Sequence, residues 1–256
     1  MAVTLTILGS GSGGNCAYVE TAEARILVDA GFSPRQIRQR LATIGRVPEN
    51  LTAVLVTHEH SDHVQGLTGI ASKLNIPVYC NRATKEAFEF QLKTRFSCNL
   101  FDTGASFEIG DVRVDTFAIP HDAQDPVGFL LRTDAGNIGF ATELGHMTKL
   151  VLERIRPANV LVLESNHDVK MLQNCARRPW SLKQRILGRH GHLSNEAAAQ
   201  IMSADLRHLY LAHLSRECNK PELAHYVMAE QLHQIGATHV QLQTAAQDVP
   251  CKTLEF

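Results

Sequence analysis

The 256-residue sequence has no excess of either charge. Its 25 Lys and Arg face 26 Asp and Glu, for a formal net charge of −1. That excludes a polybasic DNA-coating chain and an acidic disordered one. No apolar run approaches the roughly 18 residues of a membrane span, so no membrane association is expected. Met1 to Leu8 lack a basic stretch and a long apolar core, so no secretory signal is expected either. The six cysteines (Cys16, Cys80, Cys98, Cys175, Cys218 and Cys251) include no Cys-x-x-Cys and no close pair. This excludes a zinc ribbon and a disulfide framework, and fits reduced thiols in a cytoplasmic protein. Tryptophan occurs once, at Trp180. Histidine, by contrast, is abundant: 13 residues, more than the 10 phenylalanines. It is the commonest metal ligand and the side chain that titrates near neutral pH.

Period-two patterns and turn residues predict strands at Thr4–Leu8, Cys16–Glu20 and Arg25–Asp29, and a buried strand at Ala53–Thr57. A strand is also expected at Pro77–Cys80. The middle is strand-rich, at Ser106–Ile109, Val112–Ile119, Val127–Thr133 and Asn137–Ala141. Helices are expected at Pro34–Ile44, Val64–Leu74, Thr84–Leu92 and Lys149–Arg154. Further helices are expected at Leu182–Leu187, Asn195–Ala204 (with Ser194 as N-cap) and Pro221–Gln234. Strands at Asn159–Leu163, Leu209–Ala212, Thr238–Leu242 and Cys251–Leu254 complete the pattern. No repeat or linker is visible, so one mixed α/β domain over residues 1–256 is expected.

Gly9, Gly11 and Gly14 match G-x-G-x-x-G after a strand, and Asp29 follows at a ribose-binding distance. A dinucleotide site needs a helix opening in that loop. Here the loop runs into the strand-like Cys16-Ala17-Tyr18-Val19-Glu20, so a tight turn, or a backbone lying close to a ligand, is the better reading. Asn15 in this turn is a candidate substrate contact.

His58-Glu59-His60-Ser61-Asp62-His63 follows the buried strand directly. Residues two apart in an extended segment point the same way, so His58 and His60 can grip one ion. Asp62 and His63 turn into the following helix and can face a second. Imidazole with carboxylate, without thiolate, suits Zn, Mn or Fe. The bland alternative is a solvated polar loop. Four ligands cannot close two sites, and His121, Glu143 and His213 each stand just past an apolar strand. Alone, each reads as an ordinary polar residue; beside the first motif, each is a candidate ligand.

This pattern of H-x-H-x-D-H followed by a histidine, an acid and a histidine resembles the metallo-β-lactamase superfamily. The runs Gly9–Cys16, Leu163–Asp168, Gly191–Asn195 and Ala212–Ser215 resemble its WalJ/YycJ-type branch. The resemblance implies a four-layered αββα sandwich with two mixed β-sheets and two divalent ions. It places His58, His60 and His121 on one ion, Asp62, His63 and His213 on the other, and Glu143 in the bridging position. Leu27-Val28-Asp29-Ala30-Gly31 resembles the motif whose aspartate supports the metal loop. The superfamily usually carries aspartate where this chain has Glu143, one methylene longer.

The resemblance further implies a metal-dependent hydrolase, with 5′-to-3′ DNA exonuclease activity as the leading expectation. Two ions roughly 3.5–4 Å apart activate a water, orient the phosphate and stabilise the leaving oxygen. Asp62 is then expected to orient the attacking hydroxide as well as to ligate. His192 and His167 are the candidate general acids. From Val169 to Asn195 there are six Lys and Arg and no acid. Arg177, Arg178, Lys183 and Arg185, with Trp180 as a stacking surface, are candidate contacts to DNA ends or single strands. A solvated basic helix with a core tryptophan is the alternative. Two other functions compete: a hydrolase of small phosphodiesters, esters or lactones, and a weakly catalytic metal-binding protein, as Glu143 would allow.

Overall fold

The computed structural model describes residues 2–200 and 205–256. Strands β1 (Thr4–Gly9), β2 (Cys16–Glu20), β3 (Arg25–Val28), β4 (Ala53–Leu55), β5 (Val78–Cys80), β6 (Cys98–Leu100) and β14 (Leu254–Glu255) form one sheet, in the order β14-β1-β2-β3-β4-β5-β6. Strands β7 (Ser106–Ile109), β8 (Val112–Ala118), β9 (Val127–Thr133), β10 (Gly136–Ala141), β11 (Val160–Glu164), β12 (His208–Ala212) and β13 (Gln241–Thr244) form the other, in the order β13-β12-β11-β10-β9-β8-β7. Both sheets are mixed: β3-β4-β5-β6 and β10-β11-β12-β13 pair in parallel, and the remaining neighbours are antiparallel.

Strand alternation builds the layers. Leu5, Ile7, Ala17, Val19, Ile26 and Leu55 face Val114, Phe129, Leu131, Val160, Val162 and Tyr210 between the sheets. The intervening residues of the first sheet, such as Leu8, Tyr18, Leu27 and Val54, pack outward with Ile37 and Leu41 of α1 (Pro34–Thr43) and Phe88 of α3 (Arg82–Leu92). On the second sheet Leu161, Leu163, Leu209 and Leu211 pack outward against α4 (Lys149–Ile155), α7 (Asn195–Ala199) and α8 (Pro221–Gln234). The result is the expected αββα sandwich. Among the described residues, no helix is long and apolar enough to cross a membrane, and all six cysteines are free.

Four local differences from the sequence reading stand out. The expected helix at Val64–Leu74 is instead a short α2 (Ser61–Val64) followed by a π-helical turn at Thr68–Ser72. Strand β6 and helix α5 (Val169–Asn174) were not anticipated. The expected strand Thr238–Leu242 forms further along, at β13. Helix α7 starts at its Ser194 cap, whose side chain accepts from Ala197 N. Of its expected continuation to Ala204, residues 201–204 lie outside the described residues. The glycine turn between β1 and β2 opens no helix, as the strand-like sequel required.

Candidate metal centre

Each candidate ligand follows a strand end on the same rim of the sandwich. Strand β4 delivers Thr57, whose amide and hydroxyl both bind the Asp29 carboxylate just past β3 (amide to Oδ1 at 2.9 Å). Asp29 Oδ2 also holds His63 Nδ1 at 2.7 Å. This fixes the ring so that Nε2 faces the centre, as a buried acid does for a metal-binding histidine. The loop closes over α2, where His63 N donates to His60 O and Asn15 N to Asp62 O. Gly31 is required there: a Cβ at this position would lie 1.6 Å from the Asp62 carbonyl oxygen.

The imidazole nitrogens of His58, His60 and His121 come within 4.8 Å of one another, as do the ligating atoms of His58, His63 and Glu143. Asp62 Oδ2 lies 3.6 Å from His63 Nε2 and 3.8 Å from His213 Nε2. Glu143 spans the two groups. Its Oε1 is 3.4 Å from His63 Nε2 and 2.9 Å from His213 Nδ1, and its Oε2 is 3.4 Å from His121 Nε2. Asp29, Glu143 and His213 all adopt left-handed backbone (φ 60°, 63° and 54°). Such conformations in non-glycine residues cost energy and concentrate at functional sites.

Glu164 is a central residue that the sequence reading did not assign. It is fully buried at the end of β11. Its Oε2 accepts from Leu144 N (2.7 Å) and Leu193 N (3.1 Å), and its Oε1 meets His192 Nδ1 (2.8 Å) and His213 Nδ1 (2.9 Å). An acid ending a wholly apolar strand was the available signal.

The electrostatics call for positive charge at the centre. Burial raises the Glu143 pKa, but His213 and His63 outweigh it and hold the carboxyl well below its ordinary range. Burial likewise opposes ionisation of Glu164, yet His192 and His213 bring it to about 2. Burial disfavours charge on His63 and His213, but Asp29 and Asp62 for the first and Glu143 for the second push both well above the usual histidine value. Burial and its histidine neighbours push His58 the other way, leaving its lone pair available. Among the described residues, His58 Nε2 and His213 Nε2 are buried without a hydrogen-bond partner. Such orphaned atoms are costly unless another group satisfies them, and a divalent cation fits this donor set. The clusters therefore fit divalent metal binding.

Residues 24–214 match the family model described as the Beta-lactamase superfamily domain. The chain is 39% identical to the exodeoxyribonuclease WalJ of Streptococcus pneumoniae, over 90% of this chain and 88% of that one. It is 36% identical to the exodeoxyribonuclease YycJ of Bacillus anthracis, over 92% and 91%. The chain belongs to the metallo-β-lactamase superfamily, in its WalJ/YycJ-type branch. Among solved structures, the superfamily-fold protein YhfI of Bacillus subtilis superposes over the whole of both chains with a TM-score of 0.75 at 17% identity.

Within this superfamily frame the remaining predicted residues divide. His192 sits at the mouth of the centre, its ring centroid 5.4 Å from that of His121 and 5.1 Å from that of His213. Burial opposes its charge, but Glu164 raises its pKa above the ordinary value. His167 is 1% exposed, and burial lowers its pKa to about 4, so at neutral pH its ring is uncharged and keeps one N–H and one lone pair. Asn15 lies against the metal loop. It is buried, with Nδ2 3.3 Å from Asp62 Oδ2 and Oδ1 accepting from Ser10 and Gly11, so it braces the metal loop. Arg178 and Arg185 line a cavity of about 120 Å³ at the mouth, with His192 and His213. Arg177 and Arg178 share Glu217, and Arg185 pairs with Asp122. Lys183 does not join them: it is buried and donates to Gln173 O at 2.7 Å. Trp180 is no core residue; it is 60% exposed.

Proposed function

We propose that the chain is a DNA exonuclease that binds two divalent ions, Zn or Mn, and hydrolyses phosphodiester bonds from DNA ends, with residues 1–256 acting as one domain. One observation carries the reading: Glu143 reaches both histidine groups with its two oxygens, so a longer acid occupies the bridging place without separating them. The naming of two relatives as exodeoxyribonucleases, at 39% and 36% identity over most of both chains, supports the substrate class.

His58, His60 and His121 would hold one ion, and Asp62, His63 and His213 the other, with Glu143 between them. Bound there, divalent ions supply Lewis acidity toward a phosphoryl oxygen and lower the pKa of a coordinated water. Asp29 and Glu164 keep His63 and His213 in the orientation that presents Nε2. Asp62, the more exposed acid of the centre, is placed to orient the incoming water. His192 engages Glu164 through Nδ1, which leaves Nε2–H free to protonate the departing 3′ or 5′ oxygen. Arg178 and Arg185 stand where flanking phosphates would enter, and Trp180 offers a face on which a base can stack.

The test is a substrate panel with Mn or Zn: end-labelled single- and double-stranded DNA, bis(p-nitrophenyl) phosphate and a lactone. Mononucleotide release that disappears in His60→Ala is the expected result. Turnover of the small diester or lactone with intact DNA would overturn the nuclease reading in favour of a small-molecule hydrolase. No turnover, with activity gained in Glu143→Asp, would show that the glutamate silences the centre.

A further inference from the structure

His167 is the residue the proposed mechanism leaves without a role. It is 1% exposed, and neither ring nitrogen has a hydrogen-bond partner. Its backbone is firmly held. It forms a bridge with Ser194, its carbonyl accepts from Asn195 N at 2.9 Å, and Asp168 beside it caps α5. A pinned backbone carrying an unsatisfied buried imidazole is a costly arrangement for a purely structural residue.

The ring borders two cavities. One is the small, charged mouth of the metal centre, with Arg178, Arg185 and Asp122. The other, about 410 Å³, lies beneath α4 and α7 and shares His192 with the first. Among the described residues, no Lys, Arg, Asp or Glu lines this second cavity. Its walls are Met147, Leu152, Val169 and Leu193, with His146 and Ser194 adding polar atoms. Away from the His192 edge, an anion finds no lysine or arginine there. A neutral, flat-sided group finds apolar walls, an adaptable methionine and, in His167, an unpartnered imidazole with one donor and one acceptor nitrogen.

We propose that this second cavity is a nucleobase subsite, and that His167 reads the hydrogen-bonding edge of a base adjoining the cleaved phosphate. The proposal rests on the nuclease reading above. The chemistry divides accordingly: the charged mouth takes phosphates, the uncharged cavity takes the heterocycle attached to them, and His192 stands between. The orphan ring then gains a partner, one nitrogen bonding to the base edge.

Two measurements test this. The first compares the Mn-loaded wild type on oligonucleotides whose terminal residues carry bases or are abasic. The expected kcat/KM is at least tenfold lower on the abasic ends. That ratio should collapse toward one in His167→Phe and be partly restored in His167→Gln, which keeps a donor and an acceptor. Equal rates on both substrates in the wild type would overturn the subsite while leaving the nuclease reading intact. The second titrates deoxyadenosine and thymidine, which carry no phosphate, and follows the His167 ring signals by NMR. Shifts that saturate in the wild type, with nucleoside binding lost in a folded His167→Phe, support the subsite even if the protein cleaves only small diesters. No shift, or binding indifferent to the substitution, overturns it.

Discussion

At the scale of single residues, Glu143 stands where the superfamily resemblance implies an aspartate, and its geometry states what the extra methylene does. One oxygen faces His63 and His213 while the other faces His121. Glu143→Gln keeps the reach and removes the charge. It should bind one metal ion per chain, or none, in place of two, measured by elemental analysis after gel filtration; two ions retained would remove Glu143 from the bridge. His192 supports a separate prediction. Its proton is held by Glu164 and its ring lies at the mouth, so His192→Gln should lower kcat by roughly 10²–10⁴-fold while metal content stays unchanged. Equal loss of metal would make it a ligand instead. His58, His60, Asp62 and His63 were legible because their spacing is local; His121 and His213 were legible only as polar residues past apolar strands beside that motif. Glu164 was not: its importance arises only when the amides of Leu144 and Leu193 and the rings of His192 and His213 meet it in space. How deeply the His167 ring is buried was not legible for the same reason.

At the scale of elements, the end of α3 shows a buried acid organising a turn. Glu89, 6% exposed, binds Lys85 and Arg95, and Phe96 N donates to it at 2.9 Å. Burial raises its pKa, but Lys85 and the Phe96 amide outweigh this and lower it below the ordinary 4.5. A depressed folded pKa contributes stability that is present above the unfolded value and lost as pH falls through the folded one. Glu89→Gln should therefore destabilise the protein at pH 7 by about 1.5–3 kcal/mol. The difference from wild type should begin to shrink near pH 4.5 and vanish once pH is below the lowered folded value, read by urea unfolding across that range; a gap that persists in stronger acid would point to packing rather than charge. Elements were legible where the period was long. The helix Pro221–Gln234 and the strands Cys16–Glu20 and Val127–Thr133 stand where the pattern put them. Strand β6 has three residues, one of them Asn99, and α5 has six behind an Asp168 cap. Segments that short carry no period to read, and only pairing with β5 or packing of Leu172 makes them regular.

At the scale of the whole molecule, net charge is a poor guide to how this protein meets a polyanion. The segment from Val169 to Asn195 is purely basic in sequence, yet folding brings acids to it from elsewhere. Glu217 faces Arg177 and Arg178, Asp122 faces Arg185, and Lys183 turns inward. Among the described residues Lys170, Lys183 and Arg189 of the six lack an acidic partner, and Lys183 spends its charge on the Gln173 carbonyl. Phosphates must compete with these carboxylates, so few counterions are released on binding. With two to four phosphates neutralised on a single strand, log K against log salt should have a slope of about −1 to −3. The measurement is fluorescence anisotropy of labelled single-stranded DNA, with Ca in place of the active metal, from 50 to 300 mM salt. A slope steeper than about −4 would place the phosphate track on another face. Glu217→Gln sharpens the test, because it frees two arginines at once. If Arg177 and Arg178 contact the strand, affinity rises at low salt and the slope steepens by about one to two. If both stay unchanged, those arginines serve only to fasten the loop before α6 (Trp180–Leu187) to the loop that follows His213.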